Sequence, residues 1–233
     1  MEATGNYGML LLYLLDRSGI VVSMENPYKV RNFARAMLTT VKTDKLDARI
    51  IALYGEKMQP APFRLKGDAI LLLKQKRTVI RQFRKQMTAT SNMRGSLEVL
   101  PLVDRHCIKA IDDTIKFLKK KIDDLEGELA GLARQEFRRQ MELLTSIKGI
   151  GVKLAAALII ATGGFSYFDN AKQVSRYFGL SPCYQQSGTS INVKGHINRN
   201  GDSSIRGQLY IASWVAMRYN AKCKETYERL RSR

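Results

Sequence analysis

Asp44 and Asp47 stand three residues apart behind Lys42-Thr43, a helix-start pattern, so the spacing puts both carboxylates on one face of a first helical turn. Two carboxylates so placed offer the hard oxygen donors that Mg²⁺ prefers, with phosphate oxygens of a substrate filling out the shell. The same pair also suits the positive end of a helix dipole with no ion present. Glu2 is weighed with them, although nothing in its own surroundings sets it apart. A second candidate is Lys148-Gly149-Ile150-Gly151-Val152-Lys153, which joins two apolar stretches. Glycines there let backbone N–H groups approach a phosphate at a helix N-terminus while the lysines add charge, as in a helix-hairpin-helix; a plain interhelical turn would use the same residues. The third is Gln186-Ser187-Gly188, followed by Lys194, His196, Arg199 and Arg206. A serine in such a basic, glycine-punctuated loop is either a nucleophile held against a phosphate or simply solvated.

All three candidates call for an anionic partner. Lys and Arg number 39 against 21 Asp and Glu in 233 residues, a net charge of +18, so the folded surface must be extensively positive. Nucleic acid is the expected polyanion. The longest apolar stretches, Met9–Leu15 and Leu154–Ala161, fall short of the roughly 20 residues a spanning helix needs. No positively charged segment precedes an apolar one at the start, so a soluble, cytoplasmic and nucleoid-associated protein is expected. Cys107, Cys183 and Cys223, with His106 and His196, lack zinc-site spacing, and no zinc is expected.

The elements that must position these residues fall into three stretches. Over 1–60, Tyr7–Leu15 reads as a helix stopped at Gly19, Ile20–Met24 as a strand, Tyr28–Met37 as a helix, and the segment from Asp44 as a helix ending near Gly55. This is a piece of an α/β domain, since one strand makes no sheet. Pro60-Ala61-Pro62 separates it from a long helical middle, 61–142, with a turn near Pro101. Ile108, Ile111, Ile115, Leu118, Ile122, Leu125, Leu129 and Leu132 step by three and four, and Ile70, Leu73, Ile80, Phe83 and Met87 repeat the spacing less regularly. An antiparallel coiled-coil hairpin is expected, packed on another subunit or on the α/β domain, as a spacer or a dimerisation arm. Over 143–233 the reading is mainly helical: two helices about the Gly149–Gly151 turn, a short one over Asn170–Phe178, a loop or small hairpin over Cys183–Asn200, and a final helix, Ser204–Tyr219.

In order along the chain, Met1-Glu2-Ala3-Thr4-Gly5-Asn6-Tyr7, Asn26-Pro27, Lys42-Thr43-Asp44-Lys45-Leu46-Asp47-Ala48, Ile147-Lys148-Gly149-Ile150-Gly151, Phe178-Gly179-Leu180-Ser181-Pro182, Gln186-Ser187-Gly188 and Asn200-Gly201-Asp202 with Ile205-Arg206 resemble the DEDD transposases of bacterial insertion sequences. The likeness is to the insertion-sequence-110 type, related to Piv-like DNA invertases, and it spans nearly the whole chain. It implies a RuvC-like, RNase H-fold catalytic domain over 1–60, a coiled-coil insert, and a C-terminal domain that supplies a serine nucleophile. On matching positions Glu2 is the second acid of the tetrad, Asp44 and Asp47 the third and fourth, with Mg²⁺ as their ion. Ser187 is the implied nucleophile and Ser190 its alternative. Lys148, Gly149, Gly151, Lys153, Lys194, Arg199 and Arg206 are the candidate nucleic-acid contacts. Some relatives use an element-encoded bridging RNA, and assembly as a dimer or tetramer through the coiled coil is implied as well.

The departure from the pattern is at the start, where the family's first Asp and opening strands would precede Glu2. An N-terminally truncated catalytic domain, with weak or no strand transfer from this chain alone, is therefore expected. The alternatives to a DNA transposase or site-specific recombinase are an inactive nucleic-acid-binding remnant and a RuvC-like junction nuclease.

Overall fold

Gly19, Asn26 and Thr43 punctuate the first part of the chain into three helices: α1 (Tyr7–Arg17), α2 (Pro27–Ala36) and α3 (Asp44–Met58). The structure, a computed structural model, describes every residue except Thr4, Asn6, residues 39–42, 64–66, 188–190 and 198–200, and Arg233; the side chains of Tyr7 and of residues 183–187 and 191–195 also lie outside the description. Two compact units result, Met1–Gly67 and Asp68–Arg233. Among the described residues the protein is largely helical, with one two-stranded sheet.

In the first unit Gly19 takes φ +72° and ends α1, its N–H bonded to the Asp16 carbonyl at 3.1 Å. The Asn26 side chain caps α2 by accepting from the Tyr28 N–H at 2.9 Å, and Pro27 sits at the first helical position. The segment expected as a strand, Ile20–Met24, is instead extended chain held by single bridges, Val22 to Phe63 and the neighbouring Glu25 to Glu2. Squeezed between the Gly19 turn and the Asn26 cap, it has room for one residue pair on each side and no ladder. The Ser23 hydroxyl donates to the Pro60 carbonyl at 2.8 Å, drawing the end of this unit onto the same segment. Leu12, Val30 and Tyr54 are buried, and the Phe33 and Tyr54 rings meet edge to face at 5.4 Å. Helix α3 overruns its expected stop at Gly55 and ends at Met58, because Gln59, at φ 43°, takes the left-handed capping role.

The second unit is built on α4 (Asp68–Glu98) and α5 (Arg105–Glu136). Pairing of Arg94 with Asp112 at 2.6 Å, Arg84 with Glu126, and Lys76 with Glu128 runs one helix up as the other runs down, so the hairpin is antiparallel. Its apolar residues follow the sequence stripe: Ile111, Leu118, Ile122 and Leu129 are buried on α5, and Ile70, Leu73 and Ile80 on α4. Within the unit this stripe is packed by α7 (Val152–Thr162), whose Ala155, Ala156, Ile159 and Ile160 join the same core as Ile70, Leu73, Ile80, Ile122 and Leu129, with Met141 of α6 (Arg138–Ser146). The alanines let α7 lie close to its neighbours on every side. The long helical middle is also interrupted at Phe137, which leaves the helix at φ −131° and lays its ring against Gly164.

Beyond α7 come α8 (Ala171–Tyr177), the antiparallel pair β1 (Pro182–Ser187) and β2 (Ile191–Ile197), and α9 (Ser203–Tyr219). Leu154, Ala157 and Leu158 of α7 pack with Phe178, Ile205 and Ala212 into a second core. A further helix, α10 (Ala221–Arg231), follows where none was expected; Asn220 caps it through the Lys222 and Cys223 N–H groups. Its sequence is polar around most of its circumference, so it carries no apolar stripe to read.

Candidate active site and nucleic-acid interface

Thr43 decides where Asp44 and Asp47 stand. Its hydroxyl accepts from the Leu46 N–H at 3.3 Å and its carbonyl from the Asp47 N–H at 2.8 Å, which opens α3 with both carboxylates exposed on its first turn. Glu2 lies elsewhere in the same unit, half-buried beside Glu25: the Ala3 N–H donates to the Glu25 carbonyl at 2.9 Å and the Glu25 N–H to the Met1 carbonyl at 3.0 Å. All three carry the oxygen donors that suit Mg²⁺. Among the described residues, however, no three His, Cys, Asp or Glu side chains gather to hold a metal ion. Glu2, Asp44 and Asp47 thus do not close a three-carboxylate site.

The turn Ile147–Gly151 joins α6 to α7 through an Ile150 N–H bond to the Ile147 carbonyl at 3.0 Å. Gly149, at φ +105°, is pressed on α9, where a Cβ would sit 2.5 Å from the Ala212 carbonyl oxygen. Close approach of α9 therefore requires a glycine here whatever its backbone N–H meets. Gly151 is different. It precedes α7 at φ −83° beside exposed Lys148, with open space where a Cβ would stand and no side-chain cap for the first-turn N–H groups of α7. Lys153, 72% exposed, pairs at 2.5 Å with Glu126 of α5, which is only 13% exposed and also binds Arg84. Arg77, Arg84, Glu126, Lys153 and Gln208 line one cleft between α4, α5, α7 and α9. Its lining carries three cationic side chains, Arg77, Arg84 and Lys153, against the one carboxylate of Glu126.

Ser187 ends β1 opposite Ile191, and Gln186 faces Asn192; the orientation of these side chains lies outside the description, as does that of Lys194 on β2. Gly188, Ser190 and Arg199 lie outside the described residues. His196 is exposed, opposite Cys183. Arg206, expected to touch nucleic acid, turns onto the protein, donating from Nη1 to the Phe178 and Gly201 carbonyls at 3.3 and 3.1 Å. Asp202 caps α9 by accepting from the Ser204 N–H at 2.9 Å and pairs with Arg77 at 2.8 Å. Burial works to raise its carboxyl, but Arg77 and the Ile205 and Ser204 N–H groups outweigh that and hold it below the usual carboxylate range. The cap at Asp202 is legible before Ser203-Ser204; its partner Arg77 and the role of Glu126 were missed, and no local signal marks either.

Residues 141–228 match the family model described as transposase IS116/IS110/IS902 family, and residues 1–98 match the DEDD transposase model of the IS110 type. The chain belongs to the IS110-type transposase family. The pilin gene-inverting protein of Moraxella bovis is 31% identical over 221 residues, covering 92% of this chain and 66% of the relative. That of Moraxella lacunata matches with the same identity and coverage, 31%, 92% and 66%. An uncharacterized 43.6 kDa protein of insertion element IS110 from Streptomyces coelicolor is 32% identical over 91 residues, 39% of this chain and 22% of the relative. This IS110-type chain thus spans about two thirds, 66%, of the length of the Moraxella proteins. Its matched segments include Glu2, Asp44 and Asp47 in one model and Ser187 in the other. No described helix is long and apolar enough to cross a membrane.

Proposed function

We propose that this IS110-type chain acts in DNA recombination, as a transposase or invertase in which Ser187 attacks a phosphodiester. The observation that carries this reading is the placement of Ser187 at the far end of a β-hairpin rooted in a strongly basic helical unit, within the segment matched by the transposase model. The Ser187 hydroxyl oxygen bonds to phosphorus as a deoxyribose oxygen leaves, the hydroxyl proton passing to the leaving oxygen. The resulting serine–phosphate ester conserves the bond for rejoining to a second end. Ser190 is the alternative nucleophile.

DNA is the proposed partner, held through its backbone by the first turn of α7, Gly151, Lys148 and Lys153, with Lys194 of β2 and, further along the sequence, Arg199. An element-encoded RNA is a second polyanion that the charge of +18 would accept. Asp44, Asp47 and Glu2 are the proposed acids of a RuvC-like region over 1–60 and would supply oxygen ligands to Mg²⁺; since they do not close a site here, no step of the serine chemistry is assigned to the ion. Residues 61–142 are proposed as a coiled-coil arm. Its turn exposes Val99, Leu100, Leu102 and Val103, an apolar end suited to self-association as a dimer or tetramer.

The unclosed acidic set favours a second reading, a nucleic-acid-binding remnant without catalysis. Ser187→Ala separates the readings on a duplex spanning an end of the encoding element. Loss of a covalent protein–DNA adduct supports the recombinase. Strand cleavage that survives the substitution, with no adduct in either protein, indicates a junction nuclease. Binding without any cleavage or adduct indicates the remnant.

A further inference from the structure

The side chains of Arg206 and Asp202 and the backbone of Gly201 tie the segments flanking the β1–β2 hairpin to the helical body. Arg206 Nη1 donates to the Phe178 carbonyl ahead of β1 and to the Gly201 carbonyl after β2, at 3.3 and 3.1 Å, joining the two stems. Gly201, at φ +110°, lies so close to the Tyr177 carbonyl that a Cβ has no space. Asp202 then divides its two oxygens. Oδ1 accepts from the Ser204 and Ile205 N–H groups at the start of α9, while Oδ2 accepts from Arg77 Nη2 at 2.8 Å, across 125 residues of sequence. Both partners are about three-quarters shielded, with side-chain exposures of 23% and 24%.

From this stem the register runs from Pro182–Ile197 to Ser187–Ile191, so Ser187 stands five residues along β1. At about 3.3 Å per residue that is a lever of roughly 17 Å, and a tilt of about 10° at the stem would move its end by about 3 Å. A misplacement of about 1 Å is enough to cost on the order of 100-fold in a chemical step.

We infer that Arg77 is a positioning residue for Ser187: by its ion pair with Asp202 it anchors the hairpin stem to α4 and so sets where the serine meets a phosphodiester. The inference rests on the reading of Ser187 as nucleophile. Arg77 also lines the cationic cleft with Arg84 and Lys153, so a direct phosphate contact is the competing role. The two roles predict opposite behaviour of Asp202→Asn, which keeps an oxygen for the helix cap and gives up the charge.

The test compares the full chain with Arg77→Gln, Arg77→Lys, Asp202→Asn and Ser187→Ala. It reads hydrogen exchange of the β1 and β2 amides, the dissociation constant for a duplex spanning an end of the encoding element, and the rate of covalent adduct formation on that duplex. Arg77→Gln and Asp202→Asn are each expected to speed exchange in the hairpin about tenfold and slow the adduct by about tenfold or more, with affinity held within about twofold; Arg77→Lys restores most of both losses. Unchanged exchange in both variants overturns the inference. So does weaker binding by Arg77→Gln together with tighter binding by Asp202→Asn, the signature of a phosphate contact. Should Ser187→Ala form as much adduct as the unsubstituted chain, the nucleophile reading fails, and exchange still judges whether Arg77 holds the stem. Should no protein form an adduct, exchange alone decides.

Discussion

The two compact units spend their apolar residues differently. In Asp68–Arg233 one short helix, α7, is buried at every position from Leu154 to Ile160 and serves two cores at once. Among the described residues of Met1–Gly67 the buried apolar side chains are Leu12, Val30 and Tyr54, while Leu10, Leu11, Leu14, Ile20 and Val21 are exposed. The contrast extends to chemistry. In the helical unit Asp202 and Glu126 are closed by Arg77, Arg84 and Lys153 of the same unit, whereas Glu2, Asp44 and Asp47 of the first unit do not gather into one three-carboxylate site. A unit that meets its own bonding needs can fix a reactive group in space; one with sparse burial holds its groups less firmly.

The largest expected effect is in the core of the helical unit. Ile159→Ala should cost about 3 kcal/mol, whereas Val30→Ala in the first unit should cost about 1 kcal/mol, because it removes two carbons instead of three and Val30 is less completely buried. Denaturant unfolding of each variant checks this, and equal losses would erase the contrast. Next come the two glycines of the α6–α7 turn. Gly149→Ala should destabilise by about 2 kcal/mol, since it combines a positive φ with a collision on α9, while Gly151→Ala should cost less than about 1 kcal/mol. If Gly151→Ala nevertheless weakens duplex binding, the start of α7 is a phosphate grip; unchanged affinity would return it to a plain turn.

Glu126→Gln is a subtler probe. Releasing Arg84 and Lys153 to meet phosphates should steepen the log–log salt dependence of duplex binding by about one to two units. A flatter slope would mean that Glu126 holds the lysine in its binding position instead of competing for it. The smallest effect belongs to the carboxylates of the first unit. Asp44→Asn and Asp47→Asn should each cost about 0.5 kcal/mol or less, the scale of a helix-dipole interaction. A Mg²⁺-dependent rise in the melting temperature that either substitution abolishes would show the pair binding the ion even without a closed three-carboxylate set.

Much of the architecture was legible because its signals are local. The stripe from Ile108 to Leu132 gave the hairpin face, and Asn26 and Thr43 gave two helix starts. Helix ends were harder. The stop at Gln59 uses a residue with no strong left-handed preference, and the break at Phe137 exists because its ring docks on Gly164, twenty-seven residues further along. α10 escaped notice because its apolar residues form no continuous face.

For the candidate site the division falls in the same place. Sequence by itself determined the positive charge, the helix-start setting of Asp44 and Asp47, the glycine turn before α7 and the serine segment after α8, since composition, capping and periodicity act within a turn or two of chain. Only the tertiary structure decided that Gly149 serves α9, that Lys153 and Arg84 share Glu126, that Arg206 and Arg77 hold a hairpin stem, and that the three carboxylates stay apart. Those outcomes join residues as many as 125 positions apart. Such pairings are set by how the helices pack, which no local pattern encodes.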